Sequence, residues 1–256
     1  MKKISNSQIQ NICTYSKIGL SMREISRKEN ISVNTIKKYL KKNNIEIDEK
    51  NIIYGLKSKN DLLIGLYCGI WAGDGTQYID KGYRIKICCH SKDKELIKFI
   101  QKIILELFNK KTFVRYEERN RALIRFSSKY IYKFVYDYLD FSENKSLSVC
   151  LKSSNLNNTE YSKGFLLGLM ITDGYLKNKF CYNTISEKLS QNLMNILKSY
   201  NLSPKYYTHK REKYGWNDLF MVSLKKEESK QINKILDNIL QKLDYKEGFS
   251  KIKGYN

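Results

Sequence analysis

Two stretches decide how this chain folds: YCGIWAGDGTQY at 67–78 and LLGLMITDGYLK at 166–177. Each is an apolar, glycine-spaced run that ends in Asp-Gly, and the second comes ninety-nine residues after the first. That offset lays Gly65 on Gly164, Gly69 on Gly168, Asp74 on Asp173 and Gly75 on Gly174. Coincidence at four positions, each a glycine or an aspartate, marks a duplicated unit.

The segments downstream of each copy repeat as well. After the first come TQYIDKGYRIKICCHS, a hairpin turning at Asp80 to Gly82; KDKELIKFIQKIILELF, a helix; KTFVRYEERNRALIRFSS, a second hairpin; and KYIYKFVYDYL, a helix. After the second come YLKNKFCYNTIS, a shorter hairpin turning near Asn178; SEKLSQNLMNILKSYN, a helix; PKYYTHKREKYGWNDLFMVSL, a hairpin with a long loop; and KEESKQINKILDNILQKL, a helix. The exits match too, LDFSENKSL at 139–147 against LDYKEGFSK at 243–251. The chain is therefore predicted to be α+β, with two αββαββα units related by a pseudo-twofold and forming two four-stranded antiparallel sheets. Predicted boundaries are 61–152 for the first half, 153–160 for a linker and 161–256 for the second half.

Glycine in a helix interior costs about 1 kcal/mol relative to alanine, so paired glycines four apart imply that one backbone approaches another there. Packing of the two glycine faces would bring the helix C-termini together, and with them Asp74 and Asp173, while Gly75 and Gly174 stop the helices. A carboxylate at the negative end of a helix dipole, beside a second carboxylate, is unfavourable on its own. A divalent cation reverses the sign, since paired carboxylates with carbonyls and water make the hard oxygen site that Mg²⁺ prefers. Other motifs fail at particular positions: GIWAGDGT lacks the Lys-Ser/Thr of a phosphate loop, and Asp74-Gly75-Thr76 is not the order of an aspartic protease.

The chain has 256 residues, with 47 Lys plus Arg against 26 Asp plus Glu, a formal +21 that draws it toward polyanions such as nucleic acid. Six cysteines form no C-x-x-C pair and two histidines are too few for a His-rich metal site. After Met1 the chain runs KKISNSQIQN, without the apolar stretch of a secretory signal, and the run Leu62 to Gly73 is short of the ~20 residues of a membrane span. The expectation is a soluble intracellular protein, cytoplasmic, nucleoid-associated or organellar, with reduced cysteines and no membrane partner.

Residues 5–43 carry three short helical patterns, with apolar faces set by Ile9 and Ile12, by Met22 and Ile25, and by Val33, Ile36 and Leu40. Ser21 and Ser32 are good N-caps and Asn30 tolerates the positive φ of a tight inter-helix turn. The portion GLSMREIS to NISVNTIKKYL resembles a helix-turn-helix DNA-binding domain, predicted over 1–45 and joined by a polar linker, 46–60. In that resemblance the recognition helix presents Asn34, Thr35, Lys37 and Lys38 to a major groove.

Strand alternation in GYRIKICCH sends Tyr83, Ile85, Ile87 and Cys89 one way and Arg84, Lys86, Cys88 and His90 the other. RALIRFS likewise sets Arg121 and Arg125 opposite Ala122, Ile124 and Phe126, and KYYTHKREK offers Lys205, His209 and Arg211 on alternate positions. Arg115, on the other strand of the hairpin that holds RALIRFS, and Lys179, on the short hairpin YLKNKFCYNTIS, join this set. A cationic sheet face is predicted, with arginine suited to guanine edges and lysine to phosphates.

The paired stretches, Tyr67 to Gly75 and Leu166 to Gly174, resemble the LAGLIDADG motif, and 61–256 resembles a monomeric, pseudo-symmetric LAGLIDADG homing endonuclease. The resemblance implies a double-strand DNA endonuclease, with the sheets as a saddle along the major groove. Asp74 and Asp173 would hold Mg²⁺, or Mn²⁺, or Ca²⁺ in a non-cleaving state. It further implies that a polar residue closing the second strand and a lysine after the last helix order the attacking water. In the first half these fall on His90 and Lys145; in the second, on Thr184 or Ser186 and on Lys251 or Lys246, with Phe249 at the place matching Lys145. A DNA-binding transcription regulator or an RNA-splicing maturase on the same fold is the alternative function.

Overall fold

The computed structural model describes residues 4–17, 22–42, 60–80, 82–175 and 179–244. The chain divides into two compact units. The expected turn at Asn178, the N-cap Ser21, the linker 46–59 and the exit segment beyond residue 244 lie outside the described residues.

The first unit contains α1 (Asn6–Lys17), α2 (Met22–Glu29) and α3 (Val33–Lys42). Ile12, Ile25, Ile36 and Leu40 form its buried centre, with Tyr15, Met22 and Ile31 packed against them. Asn30 takes φ 54° between α2 and α3, the left-handed conformation that asparagine tolerates. Ser32 Oγ accepts from Thr35 N at 3.3 Å and so starts α3.

The second unit opens with α4 (Asp61–Asp74), then β1 (Gly75–Ile79), β2 (Tyr83–His90), α5 (Lys94–Phe108), β3 (Phe113–Glu117), β4 (Arg121–Ser127) and α6 (Lys129–Tyr138). A short connection comes next: β5 (Leu139–Asp140), α7 (Lys145–Ser148), β6 (Cys150–Leu151) and α8 (Ser153–Leu156). The repeat then begins again with α9 (Thr159–Thr172), β7 (Cys181–Thr184), α10 (Glu187–Ser199), β8 (Lys205–His209), β9 (Leu219–Ser223) and α11 (Lys226–Lys242).

Helices α4 and α9 make the axis of this unit, and neither is amphipathic because both are enclosed: every residue from Leu62 to Ala72 is buried. Their contacts advance in step. A Cβ on Gly65 would stand 2.0 Å from the Tyr161 carbonyl oxygen, one on Gly69 2.9 Å from Gly168 Cα, and one on Gly73 2.1 Å from Thr172 Oγ1. Such a series is possible only for parallel helices, so both C-termini lie at the same end. The N-termini are fixed alike, Asn60 accepting from Leu63 N and Asn158 from Tyr161 N. Asn158 Nδ2 also donates to Asp61 Oδ2 at 2.8 Å, tying one helix start to the other.

In the first half the strands are ordered β1-β2-β4-β3, all antiparallel. Ile85, Ile87, Cys89, Ala122, Ile124 and Phe126 are buried beneath the sheet, as the alternation requires. In the second half the sheet has three strands among the described residues, β7-β9-β8, against the four expected. Tyr175 makes a single bridge to Cys181, its N donating at 2.8 Å and its carbonyl accepting at 2.9 Å.

Candidate active site and nucleic-acid interface

The end of α4 sets the geometry. Gly75 has φ −80°, so it is not there for a left-handed cap; it is there because a Cβ would meet Trp71 O at 2.5 Å and Trp71 Cδ1 at 2.6 Å. Gly174 is confined by main chain as well, with Met170 Cα 2.7 Å from its would-be Cβ. Asp74 closes α4, and Asp173 caps α9 one residue past its last helical position. The two helix ends converge: Asp173 Oδ2 lies 3.1 Å from the would-be Cβ of Gly73, the residue before Asp74.

Two further groups feel both carboxylates. Burial pushes the Lys145 ammonium down to about 8, and Asp173 and then Asp74 oppose that shift. Burial likewise drives the Tyr182 phenol well above its ordinary value, reinforced by Asp173 and Asp74. Burial raises the Cys89 thiol too, with Asp74 next in effect. Lys145 Nζ donates toward the carbonyls of Trp71, Ala72, Gly73 and Gly75 at 3.1, 2.9, 3.0 and 2.7 Å, and sits 5.1 Å over the Trp71 ring. A cation placed on the last carbonyls of a helix offsets the negative end of its dipole. Lys145 therefore caps the very helix that ends in Asp74.

The donor set suits a hard divalent ion. One carboxylate stands at each of two adjacent helix ends, and among the described residues no group of three His, Cys, Asp or Glu side chains is placed to hold a metal ion. An ion held there would retain positions for water or a phosphate oxygen, the arrangement Mg²⁺ favours.

The first sheet's outer face carries Thr76, Tyr78, Arg84, Lys86, Cys88, His90, Arg115, Arg121 and Arg125 in register, with Lys86 opposite both Thr76 and Arg125. Lys86 lies 4.7 Å over the Tyr78 ring. Tyr78 reports the local field: its hydrogen bond with Lys86 holds its phenol below the ordinary value against the cost of burial, helped by the charges of Lys86, Arg125 and Arg84. The face is not purely cationic. Glu117 sits 3.6 Å from Arg115 Nε, and Leu123 occupies the position between Arg121 and Arg125. Arg84 Nε is turned to the Asp80 carbonyl at 3.1 Å. His90 Nδ1 accepts from Lys92 N at 3.2 Å, which fixes the ring at the strand end.

In the second half, Lys205, Tyr207 and His209 share a face of the exposed edge strand β8 with Asn183 and Met221. Lys179 is exposed beside Cys181 and lowers its thiol against the larger effect of burial. Arg211 lies past the end of β8: its Nε donates to Asn217 O at 2.9 Å and its guanidinium covers Trp216 at 5.6 Å. Asn34, Lys37 and Lys38 are exposed on α3, with Thr35 half-buried.

The two candidates for the second-half polar residue separate. Ser186 is buried, caps α10 by accepting from Leu189 N at 3.2 Å, and donates to Val149 O at 2.7 Å. Its hydroxyl is committed to the fold. Thr184 Oγ1 accepts from Ser186 N at 3.0 Å and is half-buried. Lys246, Phe249 and Lys251 lie outside the described residues. Tyr182, whose phenol feels both carboxylates, carries no mark in the sequence because a buried tyrosine on an alternating strand is ordinary core.

Residues 61–137 and 160–239 match the model of the LAGLIDADG-like domain, one copy for each half. The chain belongs to the LAGLIDADG-like domain family. No curated protein matches it. Among solved structures, this family member is similar to mesophilic variants of the homing endonuclease I-DmoI, at 18% identity over 70% of this chain and 97% of that one, with a TM-score of 0.52. It is similar to I-DmoI in complex with DNA and Ca at 17% identity over 70% and 91%, with a TM-score of 0.52. For I-DmoI in complex with DNA and Mn the values are 18%, 70% and 97%, with a TM-score of 0.51. These likenesses establish the LAGLIDADG homing-endonuclease fold. Among the described residues no helix is long and apolar enough to cross a membrane.

Proposed function

We propose that this LAGLIDADG-like protein is a site-specific, divalent-metal-dependent endonuclease that cuts both strands of duplex DNA as a monomer. The observation that carries the reading is the meeting of the Asp74 and Asp173 ends of two parallel helices, beside a cationic sheet face. The similar protein I-DmoI has been solved with DNA and with Ca or Mn, in keeping with a hard cation at this position.

Asp74 and Asp173 would hold the ion, which supplies a polarised phosphate and an activated water when bound. The chain's own groups do the rest. Arg84, Lys86, Arg115, Arg121 and Arg125 on one side, and Lys179, Lys205, His209 and Arg211 on the other, bind and orient the duplex. Lys145 holds the Asp74 helix end in place and adds positive charge close to the developing pentacoordinate phosphate. His90, whose Nδ1 accepts from Lys92 N, carries its ring proton on Nε2 and would donate it to hold the attacking water by its oxygen. Asn34, Thr35, Lys37 and Lys38 extend the contact through the helix-turn-helix, with 1–45, 46–60, 61–152, 153–160 and 161–256 as the working divisions of the chain.

The test is selection of cleaved sites from a randomised duplex library, with Mg²⁺ and with chelator. Double-strand cuts at one recoverable sequence, lost in Asp74→Asn and in Asp173→Asn, support the reading. If no site is cut by wild type in Mg²⁺ while sites selected from the same library by binding are held tightly and left intact, the chain belongs with the non-cleaving regulators instead.

A further inference from the structure

The hairpin loops of the two halves differ. Between β3 and β4 the chain turns through Glu118, Arg119 and Asn120, with Arg119 and Asn120 in the left-handed region at 58° and 57°. Between β8 and β9 it runs from Lys210 to Asp218 and carries two aromatic side chains, Tyr214 at 60% exposure and Trp216 at 63%. Loops much longer than a turn requires are where recognition groups concentrate.

This loop is built, not slack. Lys210 pairs with Asp218 just beyond the last strand pair, His209 with Leu219, and closes the loop at its root. Asp218 also accepts from Arg211 N, and Arg211 Nε donates to Asn217 O. Tyr214 N donates to Arg211 O at 2.9 Å and Gly215 N to Glu212 O at 2.8 Å, around a left-handed Gly215 at φ 67°. The rings stand 5.8 Å apart, each with a cation over it: Arg211 on Trp216 at 5.6 Å and Lys213 on Tyr214 at 4.8 Å. Folding alone gives no reason to hold two large rings out in water. Exposed rings flanked by lysine and arginine are the combination that meets stacked bases and phosphates together.

We propose that the 210–218 loop is a base-contacting finger for duplex DNA, with Trp216 stacking on a base and Lys213 and Arg211 on the flanking phosphates. The inference rests on the DNA-binding reading of the sheet face. It makes recognition asymmetric, since the β3–β4 turn of the first half, Glu118 to Asn120, carries no aromatic residue.

The chain has two tryptophans, and only one is exposed: Trp71 is 1% accessible and Trp216 63%. Intrinsic fluorescence is therefore a direct reporter. Full-length protein is titrated with end-labelled duplex DNA of mixed sequence, following probe anisotropy for binding and tryptophan emission for stacking. Binding should quench the emission and shield it from acrylamide, and Trp216→Phe should remove the quenchable component while anisotropy still reports a complex. The double variant Tyr214→Ala with Trp216→Ala should weaken binding about tenfold or more. Its log–log salt dependence should keep the wild-type slope, because rings release no counterions. Unchanged emission at anisotropy saturation would overturn the finger and leave DNA binding intact. An emission response to single-stranded DNA or RNA but not to the duplex would overturn it too. Absence of any anisotropy change with duplex would take down the DNA-binding reading and the finger together.

Discussion

Gly65 and Tyr161 are in backbone contact: a Cβ on the glycine would fall 2.0 Å from the tyrosine carbonyl oxygen. The atom it would strike is main chain of a buried helix, so no rotamer change relieves it. Gly164 repeats the relationship, its would-be Cβ lying 1.9 Å from Leu62 O. Gly65→Ala and Gly164→Ala should therefore each force the helices apart and cost about 3 kcal/mol or more, at the upper end for overpacking. Urea denaturation monitored by far-UV circular dichroism measures the change. A loss below about 1 kcal/mol in both variants would mean the seam is looser than these distances imply.

That seam is legible in the sequence because glycine has no other reason to recur at a helical spacing in two copies. Asp74 and Asp173 are legible for the same reason, as acidic residues at a place the dipole disfavours. Lys145 is marked only by the family resemblance, since a lysine in SENKSL carries no local sign that it will cap a helix some seventy residues earlier. Ser186 shows the opposite failure. A serine closing a strand and a serine starting a helix look identical in a string of letters, and only its bonds to Leu189 N and Val149 O reveal which it is. The Tyr214 and Trp216 loop reads in the sequence as a long connection and no more, because exposure of a ring is a tertiary property.

Lys86 and Arg125 face each other across β2 and β4, and both act on Tyr78. If that face lies on DNA phosphates, Lys86→Ala should weaken binding nearly equally for all sequences and flatten the slope of log K against log salt by about 1. Arg125→Ala should instead lose preference at one or two base pairs, as expected for a group reading guanine edges. Competition binding against single-base-pair variants of a selected target separates the two effects. Equal behaviour of both variants on every target would place neither side chain in base readout.

Ser186 stands at the start of α10 with its hydroxyl shared between a cap and a buried carbonyl. Ser186→Ala removes the cap and leaves Val149 O without that donor, a loss of about 2 kcal/mol seen as a lower melting temperature. Cleavage rate per folded molecule should stay within about twofold of wild type, since a capping hydroxyl does not touch the attacking water. A rate reduced a hundredfold in well-folded protein would return Ser186 to the chemistry.

Lys145 links stability to pH with a definite sign. Its ammonium is held near 8 in the folded protein by burial, against an ordinary lysine value of 10.5. Between those values the unfolded chain keeps a proton that the folded chain has released. Unfolding then takes up a proton, and stability rises as pH rises through the window. The gain should reach the order of 2 kcal/mol across its lower part. Lys145→Met has no proton to release and, lacking an N–H, leaves the carbonyls of Trp71, Ala72 and Gly73 in α4 and of Gly75 in β1 without that donor. The stability gap between wild type and Lys145→Met, measured by urea titration in chelator at successive pH values, should widen from about pH 8 upward. Chelator matters, because a cation between Asp74 and Asp173 would cancel the attraction those carboxylates exert on Lys145. A gap that narrows with rising pH would mean that the carbonyls and the two aspartates outweigh burial, and that Lys145 is charged at every pH where the protein is folded.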